Sequence, residues 1–144
     1  MPTAEPWRSL LLDTHCWLWM ESGRREEFSR AGRHALEDAA DKGGLLVSVI
    51  SVWEVGMLES KGRIEIEVSC QDWVKRALAN PSLTLVGLSP EIALDSTRLP
   101  GGLHADPADR ILVATARQMH ARILTRDRKL IEYGRQGYVK VVPA

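Results

Sequence analysis

The chain contains 144 residues, of which 44% are apolar and 26% are charged. This is enough apolar material for one domain with a single core, and the composition argues against disorder. The 19 basic and 19 acidic residues cancel, which excludes the strong positive footprint of a basic nucleic-acid binder. Arginines nevertheless outnumber lysines by 14 to 5. This weakly favours a phosphate-bearing substrate, because guanidinium groups bind phosphate through paired hydrogen bonds.

The start of the chain and its two cysteines bear on its location. Residues 1–7 include two prolines and predict an irregular lead-in, without the basic start and apolar stretch of a signal peptide. No apolar run approaches the ~20 residues that span a bilayer. Cys16 and Cys70 lie in unrelated contexts without metal-type spacing. We therefore expect a reduced, cytoplasmic protein without membrane contact, folded over residues 8–143.

Short apolar runs alternate with helical patterns along the chain. The runs indicate buried strands, which we place at residues 10–12, 45–48, 83–88, 123–125 and 138–142. The helical patterns begin near His15, Ser29, Ser51, Ser69, Pro90 and Asp106. In between, Ile64 and Ile66 alternate with glutamates and indicate an exposed extended segment. Strands alternating with helices are typical of a parallel sheet covered on both faces. We predict one α/β domain with a short parallel sheet of about five strands flanked by helices.

Four tryptophans fall where the predicted helices would pack, and we expect them in the core or in a dimer surface. They are Trp17, Trp19, Trp53 and Trp73. Cys16 has no base near it in the sequence, so nucleophilic catalysis by its thiol is disfavoured.

Four acidic residues lie at or just beyond the ends of strand–helix units. Asp13 follows the first strand, Glu54 lies just past the second, Asp109 begins the helix near Asp106, and Asp127 follows residues 123–125. The carboxyl ends of parallel strands share one edge of a sheet, where open α/β folds build their ligand sites. Carboxylates brought together there repel one another and attract a hard divalent cation. The pattern therefore predicts a metal site.

Most of these acids also have a purely structural explanation. Ser51 and Glu54 have the spacing of a capping box, and Asp109 lies in a first helical turn, which the helix dipole favours. Asp127 is also consistent with a turn residue paired to its basic neighbours. Asp13 is different, because an acid directly after a buried strand is costly unless it is paired or coordinating. The coincidence of all four at matching edges favours the metal site.

Four motifs in this order resemble the PIN domain family, and within it the VapC toxins of bacterial type II toxin–antitoxin systems. The resemblance runs from about Leu10 to Val142. One departure is Ala108, which stands where many relatives carry an aromatic residue, usually Phe. The motifs are Leu11–His15, Ser51–Val55, His104–Ala116 and Leu124–Leu130.

This resemblance implies a metal-dependent endoribonuclease that is usually dimeric and is held inactive by a cognate VapB-like antitoxin. It places catalytic metal ligands at Asp13, Glu54, Asp109 and Asp127. The all-oxygen donor set suits Mg²⁺ or Mn²⁺. Polar support is implied at Thr14, Ser51 and Thr125, with Asp106 as a cap or outer acid. Candidates for contacts to RNA phosphates are Arg110, Arg126 and Arg128.

Other functions are compatible with an acid after the first strand. A haloacid dehalogenase-type phosphatase needs a second aspartate where this chain has His15. A response-regulator receiver needs an acid pair before the first helix and a lysine after the last strand, and neither is evident. The open alternative is a catalytically idle PIN-like module that binds RNA or protein. His104 is a candidate for orienting its loop or contacting substrate, with a plain surface role equally open.

Overall fold

The computed structural model describes residues 8–103 and 105–144, so the predicted lead-in over residues 1–7 and His104 lie outside the described residues. Five strands form one sheet in the order β3-β2-β1-β4-β5, and every neighbouring pair is parallel. The predicted parallel α/β sheet is therefore confirmed. The strands are β1 (Leu10–Leu12), β2 (Leu45–Ser48), β3 (Leu83–Val86), β4 (Arg122–Thr125) and β5 (Val141–Pro143).

Seven α-helices are found in the described residues, with a short 3₁₀ turn at Arg25–Glu27. None of the helices there is long and apolar enough to cross a bilayer. The helices are α1 (Thr14–Glu21), α2 (Arg30–Asp41), α3 (Val49–Ser60), α4 (Cys70–Leu78), α5 (Pro90–Thr97), α6 (Pro107–Met119) and α7 (Arg128–Arg135).

The core consists of two apolar layers, one on each face of the sheet. Successive strand residues point to opposite faces, so Leu11 packs in one layer with residues of α5, α6 and α7. Leu10 and Leu12 pack in the other layer, against Trp17 of α1 and against α2, α3 and α4. All three residues of β1 are fully buried. The sheet is thus covered on both faces, and its carboxyl edge is where its strands lead into helices.

The start of α3 differs from the sequence expectation. The N-cap is Ser48, whose side chain accepts a hydrogen bond from the Ile50 N–H, and not Ser51. The reason is that β2 runs directly into α3, so that Ser48 both ends the strand and caps the helix. Ser51 is fully buried inside the helix. The expected capping box of Ser51 and Glu54 is therefore wrong.

Other boundaries also moved. β3 ends at Val86 instead of residue 88, and the last strand begins at Val141 instead of residue 138. Gly137 adopts a positive φ of 94° and Tyr138 packs on the Tyr133 ring, so the chain turns there before it joins the sheet. The helix α7 was not among the predicted elements.

Candidate functional site

Asp13 and Asp127 meet because β1 and β4 are neighbours in the sheet. Each residue follows its strand directly and is the N-cap of the next helix, α1 for Asp13 and α7 for Asp127. The register pairs Leu12 with Leu124, and the Asp13 N–H donates to the Leu124 carbonyl over 3.0 Å. Two of the predicted acids therefore lie at the same carboxyl edge of the sheet.

The hydroxyl of Thr125 connects these two acids. Its Oγ1 donates to Asp13 Oδ2 over 2.5 Å and accepts from the Asp127 N–H over 3.0 Å. The other Asp13 oxygen, Oδ1, accepts from the Thr14 N–H over 2.6 Å. Burial raises the pKa of Asp13, although these hydrogen bonds oppose the shift. The Asp13 carboxylate is therefore held in one orientation by two hydrogen bonds, one to each of its oxygens.

Asp127 uses one oxygen for the backbone of α7. Its Oδ1 accepts from the N–H groups of Lys129 at 2.8 Å and Leu130 at 3.3 Å. This is an ordinary helix cap. It replaces the expected turn paired to basic side chains, and it fixes the carboxylate beside Asp13.

Thr14 and Ser51 position Glu54. Thr14 Oγ1 lies 2.7 Å from Glu54 Oε1 and 2.9 Å from Ser51 Oγ, and both hydroxyl residues are buried. A hydroxyl carries one proton, so Thr14 serves the carboxylate best by donating to Glu54 while it accepts from Ser51. Burial raises the pKa of Glu54, and the charges of Asp13 and Asp106 add to the shift.

Asp106 and Asp109 bring the start of α6 to the same place. Asp106 caps the helix, with its Oδ1 accepting from the Asp109 N–H over 3.0 Å. Burial raises the pKa of Asp109 to about 7. Four negative neighbours contribute to the same shift, namely Asp106, Asp13, Asp127 and Glu54. The structure therefore places all four predicted acids, with Asp106, within electrostatic range of one another.

The donor set fits a hard divalent cation. It consists of carboxylate oxygens that raise one another's pKa values, which is the condition that a bound cation relieves. In residues 8–103 and 105–144, no three acidic, histidine or cysteine side chains are spaced closely enough to hold an ion as they stand.

The three candidate arginines have different surroundings. Arg110 donates to the carbonyls of Ser96 at 2.9 Å and Leu103 at 2.6 Å, so it holds the preceding loop. Arg126 lies 4.4 Å from the ring centroid of Trp19 and pairs with Glu27. Arg128 is exposed and lines a cavity of about 410 Å³ together with Lys129 and two glycines, Gly101 and Gly102.

The predicted tryptophans also differ in their surroundings. Trp17 is fully buried, and its ring packs edge-on against Trp73 at 5.0 Å. Trp53, however, is 57% exposed and lies directly before Glu54. The sequence pattern predicts the same environment for all four tryptophans, because helical spacing alone does not distinguish a core position from the rim of a site.

Burial also raises the pKa of the Cys16 thiol, which disfavours the thiolate. This supports the expectation that the thiol is not a nucleophile.

Comparison with known proteins identifies a matching family and a related ribonuclease. The PIN domain family model matches residues 10–136. Ribonuclease VapC22 of Mycobacterium tuberculosis is 32% identical over 122 residues, which cover 85% of this chain and 89% of that protein.

Solved structures agree in fold. VapBC2 from Rickettsia felis, bound to a DNA fragment from their promoter, matches with a TM-score of 0.67 and 15% identity, covering 93% of this chain and 97% of that one. DNA-bound VapBC from Salmonella typhimurium matches with a TM-score of 0.64 and 13% identity, covering 94% and 97%. At these identities the two structures show the fold alone.

Proposed function

Because the chain belongs to the PIN domain family, we propose that it is a ribonuclease and the toxin of a type II toxin–antitoxin pair. The observation that carries this proposal is the group of acids at the carboxyl edge of the sheet, which share one electrostatic environment. The similarity to a ribonuclease supports RNA as the substrate. We place the protein in the cytoplasm, as a homodimer.

The proposed cofactor is Mg²⁺ or Mn²⁺, held by Asp13, Glu54, Asp109 and Asp127. When bound, such an ion supplies an acidified water and stabilises charge on the leaving oxygen. The chain's contribution is to hold the ligands: Thr125 orients Asp13, and Thr14 orients Glu54. Asp106 caps α6 and so fixes the first turn that carries Asp109.

This chemistry uses water as the nucleophile, so the 2′-hydroxyl of the RNA is not needed. Products should end in a 5′-phosphate and a 3′-hydroxyl. A substrate with a single 2′-deoxy sugar at the cleaved position should still be cut. Products with 2′,3′-cyclic phosphate ends would contradict the mechanism.

The direct test is cleavage of labelled small RNA in Mn²⁺, Mg²⁺ or EDTA by the wild type and by Asp13→Asn. Asparagine keeps the shape of the side chain and removes its charge. We expect metal-dependent cleavage that falls by about 100-fold or more in the variant. Asp41→Asn, on the exposed end of α2, is the matched control and should cleave normally. Metal and RNA binding without any cleavage by the folded wild type would support the idle binding module instead.

We propose that the partner antitoxin lies in a groove beside α1. This groove has a volume of about 790 Å³ and is lined by apolar and charged side chains, among them His15, Trp19, Ile66, Trp73 and Arg76. His15 lines the groove and lies within electrostatic range of Asp13 and Glu54, so a segment lying in the groove would come close to the acids. Structures similar in fold are toxin–antitoxin complexes, which supports a protein partner.

Copurification tests this surface. The partner to test is any small protein encoded by a gene adjacent to the gene for this chain. The variant Ile66→Lys places a charge in the groove. We expect the complex to be lost while RNA cleavage by the variant is retained. Met119→Lys, at an exposed apolar residue that does not line the groove, should bind normally. Unchanged copurification with Ile66→Lys would contradict this docking surface.

A further inference from the structure

Trp53 occupies an unusual place for a large aromatic side chain. It is 57% exposed on α3, although the same helix buries Ser51 and Val55 completely against the rest of the protein. An indole left in solvent forgoes the stabilisation that its burial would give. A single exposed aromatic residue needs no explanation by itself, but Trp53 directly precedes Glu54 and lines a cavity together with that acid.

The indole forms one wall of a slot of about 410 Å³ between α3 and the start of α6. The other apolar walls are Ile50, Pro107 and Ala108. Ala108 contributes only a methyl group to this lining. The slot is therefore a narrow apolar space with an aromatic face, formed by two helices that pack on each other.

Two acidic residues of the slot belong to the site described above. Glu54 and Asp106 both line the slot, and Glu54 also accepts the hydrogen bond from Thr14. A phosphate held at the acid site through a cation would thus place a neighbouring part of the same RNA at the slot. No lysine or arginine lines the slot among the described residues, so its chemistry does not suit a phosphate.

A nucleobase suits all of these features. Its flat face stacks on an indole, its edges fit between apolar walls, and it carries no charge for the acids to repel. Exocyclic amino groups of bases donate hydrogen bonds to carboxylates such as Glu54 and Asp106. Single-stranded RNA offers such bases unstacked.

We propose that this slot binds one unpaired nucleobase next to the cleaved phosphate, with Trp53 stacked on its face. The proposal rests on the ribonuclease function proposed above. Trp53 is then a positioning residue, which sets how tightly and in which register single-stranded RNA lies across the acids.

The test compares two fluorescein-labelled probes by anisotropy in Mg²⁺: a single-stranded RNA of mixed sequence and an abasic strand of equal length and charge. Asp13→Asn serves as the background so that the RNA stays intact. We expect this protein to prefer the RNA over the abasic strand by about tenfold or more. Adding Trp53→Ala should remove the preference, and Trp53→Phe should retain most of it. Leu94→Ala, at another apolar residue that is 57% exposed, should leave it unchanged.

The outcomes separate the two proposals. If the wild type cleaves RNA with metal but Trp53→Ala keeps the full preference for bases, the slot is not a base site and only this inference fails. If Trp53→Ala instead lowers the mass measured by light scattering and keeps the preference, the slot is covered by a second copy of the chain, which also overturns it. If the wild type neither cleaves nor binds any RNA, the ribonuclease function fails as well.

Discussion

At the residue scale, the acids depend on neutral side chains that hold them in place. Thr125 is fully buried and donates to Asp13 from a position 112 residues away in sequence. Its hydroxyl also accepts the Asp127 N–H. A single oxygen thus keeps two strand ends in register at the point where the charges meet, which gives it a role beyond ordinary polar packing.

Thr125→Val tests that role. Valine has nearly the same shape, so the fold should persist, but Asp13 loses a hydrogen bond that fixes its carboxylate. We expect RNA cleavage to fall by about 10- to 100-fold, measured at saturating Mn²⁺ with folding checked by circular dichroism. Thr97→Val removes an exposed hydroxyl that bonds within α5 and should cleave normally. Equal activity of both variants would show that Asp13 needs no such support.

Asp109 predicts a pH dependence of the metal-free protein. Its pKa is raised from 3.8 to about 7 by burial and by the surrounding carboxylates, so the folded state holds this proton more tightly than the unfolded chain. The loss of stability caused by this shift is absent below pH 3.8, grows as the pH rises towards about 7 and is complete above that value. Stability therefore falls as the pH rises through this window.

The measurement is the melting temperature in EDTA as a function of pH, from pH 3.8 to above the raised pKa of about 7. The melting temperature of the wild type should be a few degrees lower at the high-pH end of this range. In Asp109→Asn the melting temperature should depend less on pH. Asp41→Asn should retain the pH dependence of the wild type. Added Mg²⁺ should raise the melting temperature of the wild type at the higher pH, because a cation offsets the same repulsion between carboxylates. Identical slopes in the wild type and Asp109→Asn would rule out this carboxylate as the cause.

At the element scale, the start of α3 decides which serine faces the site. Because the cap is Ser48, the helix begins early enough to turn Ser51 inward, towards Thr14. Had Ser51 been the cap, it would lie outside the first helical turn and Glu54 would reach back to the backbone. The helix start therefore converts a familiar local motif into part of a tertiary contact between α1 and α3.

Ser48→Ala measures the worth of this cap. Its side chain accepts from the Ile50 N–H at 3.1 Å, and loss of a serine cap typically costs about 0.5–2 kcal/mol. We expect the free energy of unfolding in urea to fall by that amount. Ser60→Ala, at the exposed far end of the same helix, should be nearly neutral. A neutral Ser48→Ala would indicate that the first turn of α3 is held by its packing alone.

At the scale of the whole molecule, β1 is the centre of the structure. It is flanked by β2 and β4, and its side chains enter both apolar layers. Leu11→Ala should lower the free energy of unfolding by about 2–5 kcal/mol, the usual cost of removing a buried leucine side chain. Leu88→Ala, at an exposed leucine, should change it little. A small loss for Leu11→Ala in urea unfolding would mean that the layers can collapse into the space left behind.

Much of this architecture is predictable from the sequence. Where the predictions differ from the structure, the difference has a physical cause. Local patterns sufficed for the five strands and for the helices α1 to α6, but not for α7. The edge rule for parallel sheets led to the grouping of the acids. The carbonyl contacts of Arg110 could not be predicted because they depend on the path of the loop before α6. The exposure of Trp53 could not be predicted because residues from the distant start of α6 line the cavity beside it. The start of α3 was missed because two serines offered rival caps three residues apart. The local sequence does not show which of two such serines is the N-cap, because the packing of the helix determines where it begins.

The central position of β1 also has a consequence for timing during synthesis. Asp13 is synthesised first, and Thr125 of its partner strand β4 lies 112 residues further along the chain. Parallel pairing of such distant strands must wait for both. A nascent chain that has not reached Asp127 lacks one acid of the proposed metal site, so the ribonuclease activity proposed above cannot arise before β4 and Asp127 have been made.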